Sequence, residues 1–353
     1  MINIICFALY GELAASTRYR LMQYRPGLVE YGINLQLNFL LNDEYLKRRF
    51  QKSSLPISGL ITSGVKRFYE LAKINSFDAA ILYCELYPLM PSWLEKKLLN
   101  IPYMYDWDDA FYLKYRTGNL GGFNKILGKK IDSLVKNSTT VSCGNKNLLS
   151  YAEKLNKNVN YLPTVVDTKL YVPMSKLKSS IFTVGWVGSP STEKYLKLLI
   201  DPLTKLGQES RVRFVVIGGK APLIPNIEII ELEWEEVSEV NLINTFDVGV
   251  MPLPDNEWTR GKCAFKLIQY MACGVPVIGS SIGANNNVID SNCGFLVSND
   301  VEWLNALREV RDNPQKRLQW GEAGREKVIK NYSLEYTLPI MAKVLLNLRK
   351  NSK

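Results

Sequence analysis

The chain is 353 residues long, 46% hydrophobic and 22% charged, with scattered glycine and proline and a net charge of +10. That length exceeds one ordinary core, so two domains are expected, and the composition excludes a disordered, collagen-like or disulfide-stapled chain. No run of 18 or more apolar residues occurs, which excludes a helical membrane span in the sequence.

Short strands alternate with helical patterns along the whole chain, the signature of a doubly wound α/β sheet. A strand over 2–7 leads into Gly11, then a helix-like run from Ser16 to Tyr24, and Gly32 precedes a strand over 33–40. Further strands are predicted over 79–84, 101–105 and 139–142. The polar, lysine-rich stretch 168–180 reads as a linker between a first domain over 1–167 and a second over 181–333, with a last helix over about 334–349. The second alternation opens with Phe182–Gly188 and continues through Phe214–Gly219 and a strand over 227–232. Met1 opens directly into a strand-like segment with no basic leader, so a cytoplasmic place is expected, soluble or peripheral to the inner membrane face. The six cysteines, at 6, 84, 143, 263, 273 and 293, lack metal-ligand spacing and read as reduced core thiols.

Charge is uneven: residues 1–180 hold 24 Lys and Arg against 14 Asp and Glu, whereas 181–353 hold 20 against 20. The excess favours an anionic partner for the first half, either an acceptor or an anionic membrane surface. Lys47-Arg48-Arg49-Phe50 and Val65-Lys66-Arg67-Phe68-Tyr69 mix cations with aromatics, and the second run fits an amphipathic helix with Val65, Phe68, Leu71 and Ala72 on one face. A solvated face on a basic protein is the alternative reading. No nucleic-acid motif accompanies the charge, so nucleic acid is not an expected partner.

The densest signal lies at 246–283, which reads as strand, basic loop, helix, glycine turn and second strand. Val248, Val250 and Met251 suit a buried parallel strand, and Phe265, Leu267, Ile268, Tyr270 and Met271 recur at helical spacing. Arg260, Gly261, Lys262 and Lys266 therefore cluster at a helix start, where unpaired N–H groups and the positive end of the dipole attract phosphate. Gly274 stops the helix and Val275-Pro276-Val277-Ile278 begins the next strand. A pocket there lies at the carboxyl edge of a parallel sheet.

This segment resembles the donor-binding signature of family 4 glycosyltransferases, in the variant of a bacterial polysaccharide-biosynthesis branch. The shared core is Met271-Ala272-Cys273-Gly274-Val275-Pro276-Val277-Ile278. The resemblance implies the GT-B fold, two Rossmann-like doubly wound parallel-sheet domains facing a cleft, with Tyr161–Asp167 closing the first and the last helix, 334–353, crossing back to it. It implies transfer of a sugar from a nucleotide-diphosphate donor to an acceptor hydroxyl, with retention, the acceptor being a saccharide or lipid-linked saccharide bound by the first domain. Both glutamates of the family's E-x7-E motif are missing: Gly261 stands at the first position and Gln269 at the second, where an amide can still bond the donor ribose.

Other expected donor contacts follow strand ends. Gly188-Ser189-Pro190-Ser191-Thr192-Glu193-Lys194 opens a helix after a strand; the resemblance makes Lys194 a diphosphate ligand, while Ser189 replaces the family's arginine and leaves Arg260 or Lys262 to supply that charge. Trp234 follows the strand over 227–232, near where the family encloses the base, and either stacks on it or packs as an interdomain tryptophan. Gly11 and the turn Ala14–Arg20 follow the first strand, with Arg18 as the expected ligand and Arg20 and Arg25 as helix-surface cations. The chain has no histidine, and Glu85 occupies the position where many relatives carry one, so Glu85 is expected to orient or deprotonate the acceptor hydroxyl. Asp106-Trp107-Asp108-Asp109 superficially matches the metal-binding DxD of the other glycosyltransferase fold, yet the lysines already offer positive charge; Asp108 or Asp109 is read as an acceptor contact or a cap. No metal and no cofactor are expected. The alternatives are a catalytically degenerate sugar-nucleotide-binding subunit, or a nucleotide-sugar epimerase or hydrolase on the same scaffold.

Overall fold

The computed structural model describes residues 1–51, 53–54, 57–117, 123–175 and 180–350. Two compact units emerge: residues 1–164 with 337–353, and residues 165–336. The first holds six parallel strands, β1 (Ile2–Tyr10), β2 (Ile33–Leu41), β3 (Ala79–Tyr83), β4 (Tyr103–Trp107), β5 (Thr140–Cys143) and β6 (Val159–Tyr161), in the order β2-β1-β3-β4-β5-β6. The second holds β7 (Phe182–Val187), β8 (Val212–Ile217), β9 (Glu228–Leu232), β10 (Val248–Met251), β11 (Val277–Ser280) and β12 (Gly294–Val297), in the order β12-β11-β10-β7-β8-β9. The architecture is α/β with two doubly wound parallel sheets. β1, β3, β4, β7, β10 and β11 are almost wholly buried, as apolar strands covered by helices on both faces must be.

In each sheet the first strand lies inside and the winding reverses beside it, between β1 and β3 and between β7 and β10. At such a reversal the two flanking connections leave on opposite faces and open a crevice at the carboxyl ends. Gly11 follows β1 and Glu85 lies just after β3; Gly188 follows β7, and the 252–264 segment follows β10.

Two buried arginines staple the first sheet, and both correct the reading of those cations as surface charges. Arg20, 1% exposed, donates through Nε and NH2 to the two oxygens of buried Asp106, through NH2 also to Ser142 Oγ at 3.1 Å, and through NH1 to the Leu162 carbonyl. Arg67, fully buried, donates to the carbonyls of Ala8, Asn38 and Leu86, and burial pulls its pKa down to about 10. A guanidinium has five donors to satisfy, so burial is tolerable only where carbonyls and carboxylates converge. Every one of these acceptors except Leu86 belongs to a strand or to the residue just after one.

The helix Ile57–Ala72 that carries Arg67 presents Ile61, Val65, Phe68 and Tyr69 to solvent, each more than half exposed, while Leu71 is buried. The expected apolar face is therefore split: Val65 and Phe68 lie outward with Ile61, and Leu71 lies inward. The last helix, Leu334–Lys350, contributes Thr337, Met341, Ala342, Leu345 and Leu348 to buried positions, and Tyr24 Oη meets Thr337 Oγ1 at 2.8 Å. Residues 165–175, entering the second unit, are bound to it: Asn244 donates to Val172 O and accepts from Met174 N, and Arg325 donates to the carbonyls of Thr168 and Tyr171. Of the expected linker, 176–179 lie outside the described residues.

Candidate functional site

Three segments of the second unit meet on one side chain, Trp186 of β7, which is 2% exposed. A Cβ on Gly188 would fall 2.1 Å from its Cη2, and one on Gly219, after β8, 3.0 Å from its Cζ3. Lys266, in the first turn of helix Phe265–Ala272, holds its Nζ 5.5 Å from the indole centroid. The loops after β7 and β8 and the helix after β10 are thus brought together, and Gly188 is required because any side chain would enter the ring. The β7 loop is held by its own hydroxyls: Ser189 and Ser191 pair at 2.8 Å, and Thr192 donates to the Ser189 carbonyl at 3.1 Å. Lys194 follows, exposed, with Nζ 5.3 Å from the Tyr195 ring.

After β10 an Asn256–Thr259 capping box starts the short helix Glu257–Arg260, and buried Gly261 closes it. Lys262, half-buried, lies 5.8 Å from the Trp258 ring centroid. Ala264 then takes φ +54°, a left-handed conformation uncommon for a residue with a Cβ and the kind of strain that accumulates at binding sites. As N-cap it brings no side-chain acceptor to the first turn of helix Phe265–Ala272. Lys262 and Lys266 thus bracket a helix start whose dipole adds to their charge, while Phe265 is half-buried between them in sequence. Arg260 is placed otherwise than expected of a bare phosphate ligand: it is exposed and its fork grips Asp255 at 2.7 and 2.9 Å, raising its pKa and lowering that of Asp255.

Gln269, one turn beyond Lys266 and 3% exposed, donates from Nε2 to Tyr171 Oη at 2.9 Å. Tyr171 donates in turn to Glu239 Oε2, and Trp234 Nε1 donates to Glu239 Oε1 at 2.7 Å. Glu239 is 4% exposed. Trp186, Tyr171 and Glu239 were not singled out from the sequence. Glycines flanking Trp186 at 185 and 188 were its one local signal; Tyr171 and Glu239, 68 residues apart, had none.

In the first unit, Gly11 is required by Asp43, whose Oδ1 would lie 2.5 Å from a Cβ there and accepts from Leu13 N at 2.9 Å. Arg18 turns back onto its own loop, donating to the carbonyls of Glu12 and Leu13, both at 2.9 Å, so it shapes that loop. Glu85, expected to orient or deprotonate the acceptor hydroxyl, is instead fully buried, with Oε1 on Lys114 and Oε2 on Lys130 and on Tyr115 Oη at 2.7 Å. Lys130, also buried, binds Glu95 at 2.9 Å. Burial works to raise the Glu85 pKa, yet Lys130 and Lys114 outweigh it and hold the carboxyl below its usual range, which makes a poor base. Asp108 is the opposite case. Burial, helped by Asp109 and Asp106, pushes it up to about 7 against the opposing Arg20 and the Tyr83 hydroxyl, which donates to it at 2.6 Å. A carboxyl poised near neutrality is matched to proton transfer at working pH. Asp109 caps its own turn by accepting from Ala110 N at 2.9 Å. Among the described residues no group of three or more Cys, Asp or Glu is arranged to hold a metal ion.

Residues 181–313 match the family model described as glycosyl transferases group 1. That region contains β7, the Gly188 loop, Trp234 and the 260–272 segment. Among solved structures the chain is similar to a sucrose-phosphate synthase from Thermosynechococcus elongatus, at TM-score 0.72 and 15% identity over 99% of both chains. It is similar to the Anabaena protein HepE in complex with UDP and glucose, at TM-score 0.70 and 13% identity over 98% of this chain and 100% of that one. The lipopolysaccharide glycosyltransferase WaaG aligns at TM-score 0.65 and 14% identity over 97% and 98%. These likenesses show the GT-B fold. No curated protein sequence matches the chain.

Proposed function

We propose that the chain is a glycosyltransferase that moves a sugar from a nucleotide-diphosphate donor to an acceptor hydroxyl, with retention at the anomeric carbon. The observation that carries this reading is the convergence of Lys266, the Gly188 loop and the Gly218-Gly219 loop on Trp186, beside a strained helix start. Lys194, Lys262, Lys266 and the helix dipole take up the charge of the departing diphosphate, so the reaction runs without a metal or a cofactor. The leaving diphosphate oxygen takes the acceptor proton on the same face, a route that needs no protein nucleophile. Gln269 and Trp234 serve the nucleoside. In the first unit Asp108 contacts the acceptor hydroxyl, and Glu85 positions Lys114 and Tyr115. The UDP bound by HepE supports a uridine nucleotide as the first donor to try. Incubating the purified chain with a panel of nucleotide sugars and saccharide or lipid-linked saccharide acceptors, followed by mass spectrometry, tests the reading. Donor binding without turnover would favour a degenerate sugar-nucleotide-binding subunit, and turnover without an acceptor an epimerase or hydrolase.

The acceptor is assigned to cell-surface polysaccharide or glycolipid synthesis, met at an anionic membrane surface. Two observations support this: the whole positive excess lies in residues 1–180, and Ile61, Val65, Phe68 and Tyr69 stand out from one helix that also carries exposed Lys66. No helix among the described residues is long and apolar enough to cross a membrane. Sedimentation of the full chain with vesicles of anionic lipid should weaken as salt rises to about 0.5 M, and Lys47→Glu, Arg48→Glu and Lys66→Glu together should reduce it without changing donor affinity. Equal sedimentation with neutral vesicles would overturn the charge-based attachment, and no sedimentation with either kind would favour a soluble acceptor.

A further inference from the structure

The four-residue chain Gln269, Tyr171, Glu239 and Trp234 has a direction fixed by chemistry. A carboxylate only accepts, so Glu239 takes the protons of both the Trp234 indole and the Tyr171 hydroxyl. The Tyr171 oxygen, its proton given to Glu239, accepts from Gln269 Nε2. The amide therefore turns its NH2 towards Tyr171 and keeps Oε1 as its acceptor.

Both ends of the chain abut the donor site. Gln269 stands three residues from Lys266, on the same helix face. At the other end, a Cβ on Gly218 would lie 3.0 Å from Trp234 Cβ and 2.4 Å from the Gly188 carbonyl, so Trp234 stands beside the β7 loop. Glu239 is held on helix Glu236–Ile243, and Tyr171 enters from the first residues of the second unit.

We infer that these residues form an ordered relay in which Glu239, acting through Tyr171, sets the Gln269 amide to present an acceptor oxygen to a hydroxyl of the nucleoside, and holds Trp234 in place. The inference rests on the donor reading above. Glu239 and Tyr171 are positioning residues, and the negative charge of this end of the site resides at 239 instead of 269. Glutamate at 269 would set two carboxylates against the one Tyr171 proton, which accounts for the amide there.

The relay predicts a result that packing alone does not. In Glu239→Gln, the new amide accepts from Trp234 through oxygen and donates to Tyr171 through nitrogen. The Tyr171 hydroxyl then turns to Gln269, whose amide flips. These four residues stay bonded to one another, but the ligand meets NH2 in place of oxygen. In the double variant Glu239→Gln/Gln269→Glu, Tyr171 donates to the carboxylate at 269, and an acceptor oxygen again faces the ligand.

The test is calorimetric titration of the full chain with UDP, GDP and ADP, carried forward with whichever binds tightest, alongside melting of each variant. Glu239→Gln should melt within a degree or two of the unaltered chain yet bind several-fold more weakly, because the nucleoside hydroxyl must turn from donating to oxygen to accepting from nitrogen. Gln269→Glu should lose both melting temperature and affinity, and the double variant should regain both. Full affinity in Glu239→Gln, or a double variant no tighter than the weaker single, overturns the relay while leaving the donor reading intact. An unaltered chain that binds none of the three nucleotides overturns the donor reading and the relay with it.

Discussion

Replacing Lys266 by methionine keeps the length and apolar stem of the side chain while removing its charge, so it isolates the ammonium that lies 5.5 Å above Trp186. A charged hydrogen bond to diphosphate contributes about 1.5–3 kcal/mol, so affinity for UDP should fall by roughly 10- to 150-fold. The indole holds the ammonium in the free protein by a cation–π attraction of about 0.5–2 kcal/mol, more when desolvated, and Lys266 is half-buried. Trp186→Phe should therefore weaken UDP binding several-fold in the presence of Lys266, and far less in the Lys266→Met background. Calorimetry of the four proteins at about 0.1 M salt closes this cycle, with melting curves to confirm folding. Affinity unchanged within twofold in Lys266→Met would remove this lysine from the phosphate site. Strictly additive losses would show that Trp186 acts by packing and not through the ammonium.

Other outcomes follow from the same groups. Arg20→Met leaves Asp106 buried without its bidentate partner and should cost about 3–5 kcal/mol in urea unfolding, while Arg20→Met/Asp106→Leu should cost less than the single change; the reverse order would contradict the staple. With Asp108 pushed up to about 7, turnover should fall as pH drops through neutrality, and Asp108→Asn should remove that limb from the pH profile. Its folded-state pKa lies above the usual 3.8, so the folded chain keeps a proton that the unfolded chain releases. Asp108 therefore detracts from stability progressively as pH rises from about 4 to about 7. Asp108→Asn should accordingly gain more melting temperature over the unaltered chain at pH 8 than at pH 4, and an equal gain at both would argue against the shift. EDTA should leave turnover intact; activity lost and restored only by Mn²⁺ or Mg²⁺ would replace the lysine-based account of the leaving group.

What the sequence disclosed depended on how far apart the interacting residues lie. The β10–helix–β11 passage was legible because its periodicity, basic cluster and Gly274 stop are all local. The two wound sheets were legible for the same reason: each strand is a short apolar run bounded by turns. Arg20 and Arg67 were misread as surface cations because what removes them from water is remote, Asp106 being 86 residues from Arg20 and Ala8 59 residues from Arg67. Glu85 fails in the same way, since Lys114 and Lys130 lie 29 and 45 residues downstream and nothing near it forecasts an ion network. Gln269 was found at its position in the motif, but its partner Tyr171, 98 residues away, lies in a stretch whose lysines suggested a loose connector. Charge composition shows that cations are present and says nothing of which ones the fold will enclose.

The first unit is discontinuous along the chain, and that has a consequence for synthesis. Residues 1–164 leave the ribosome before the stretch that finishes them, because Thr337 bonds Tyr24 and a Cβ on Gly27 would lie 2.4 Å from Leu338 Cδ2. The second unit, 165–336, is uninterrupted and can close on itself as it emerges, while the first still lacks the helix bearing Met341, Leu345 and Leu348. For the time taken to translate some 170 residues, the apolar groove meant for that helix stands open and vulnerable to misassembly. A nascent chain halted before residue 337 should therefore yield a protease-resistant second unit and a digestible first one, the inverse of the usual order in which the earlier-made domain matures first.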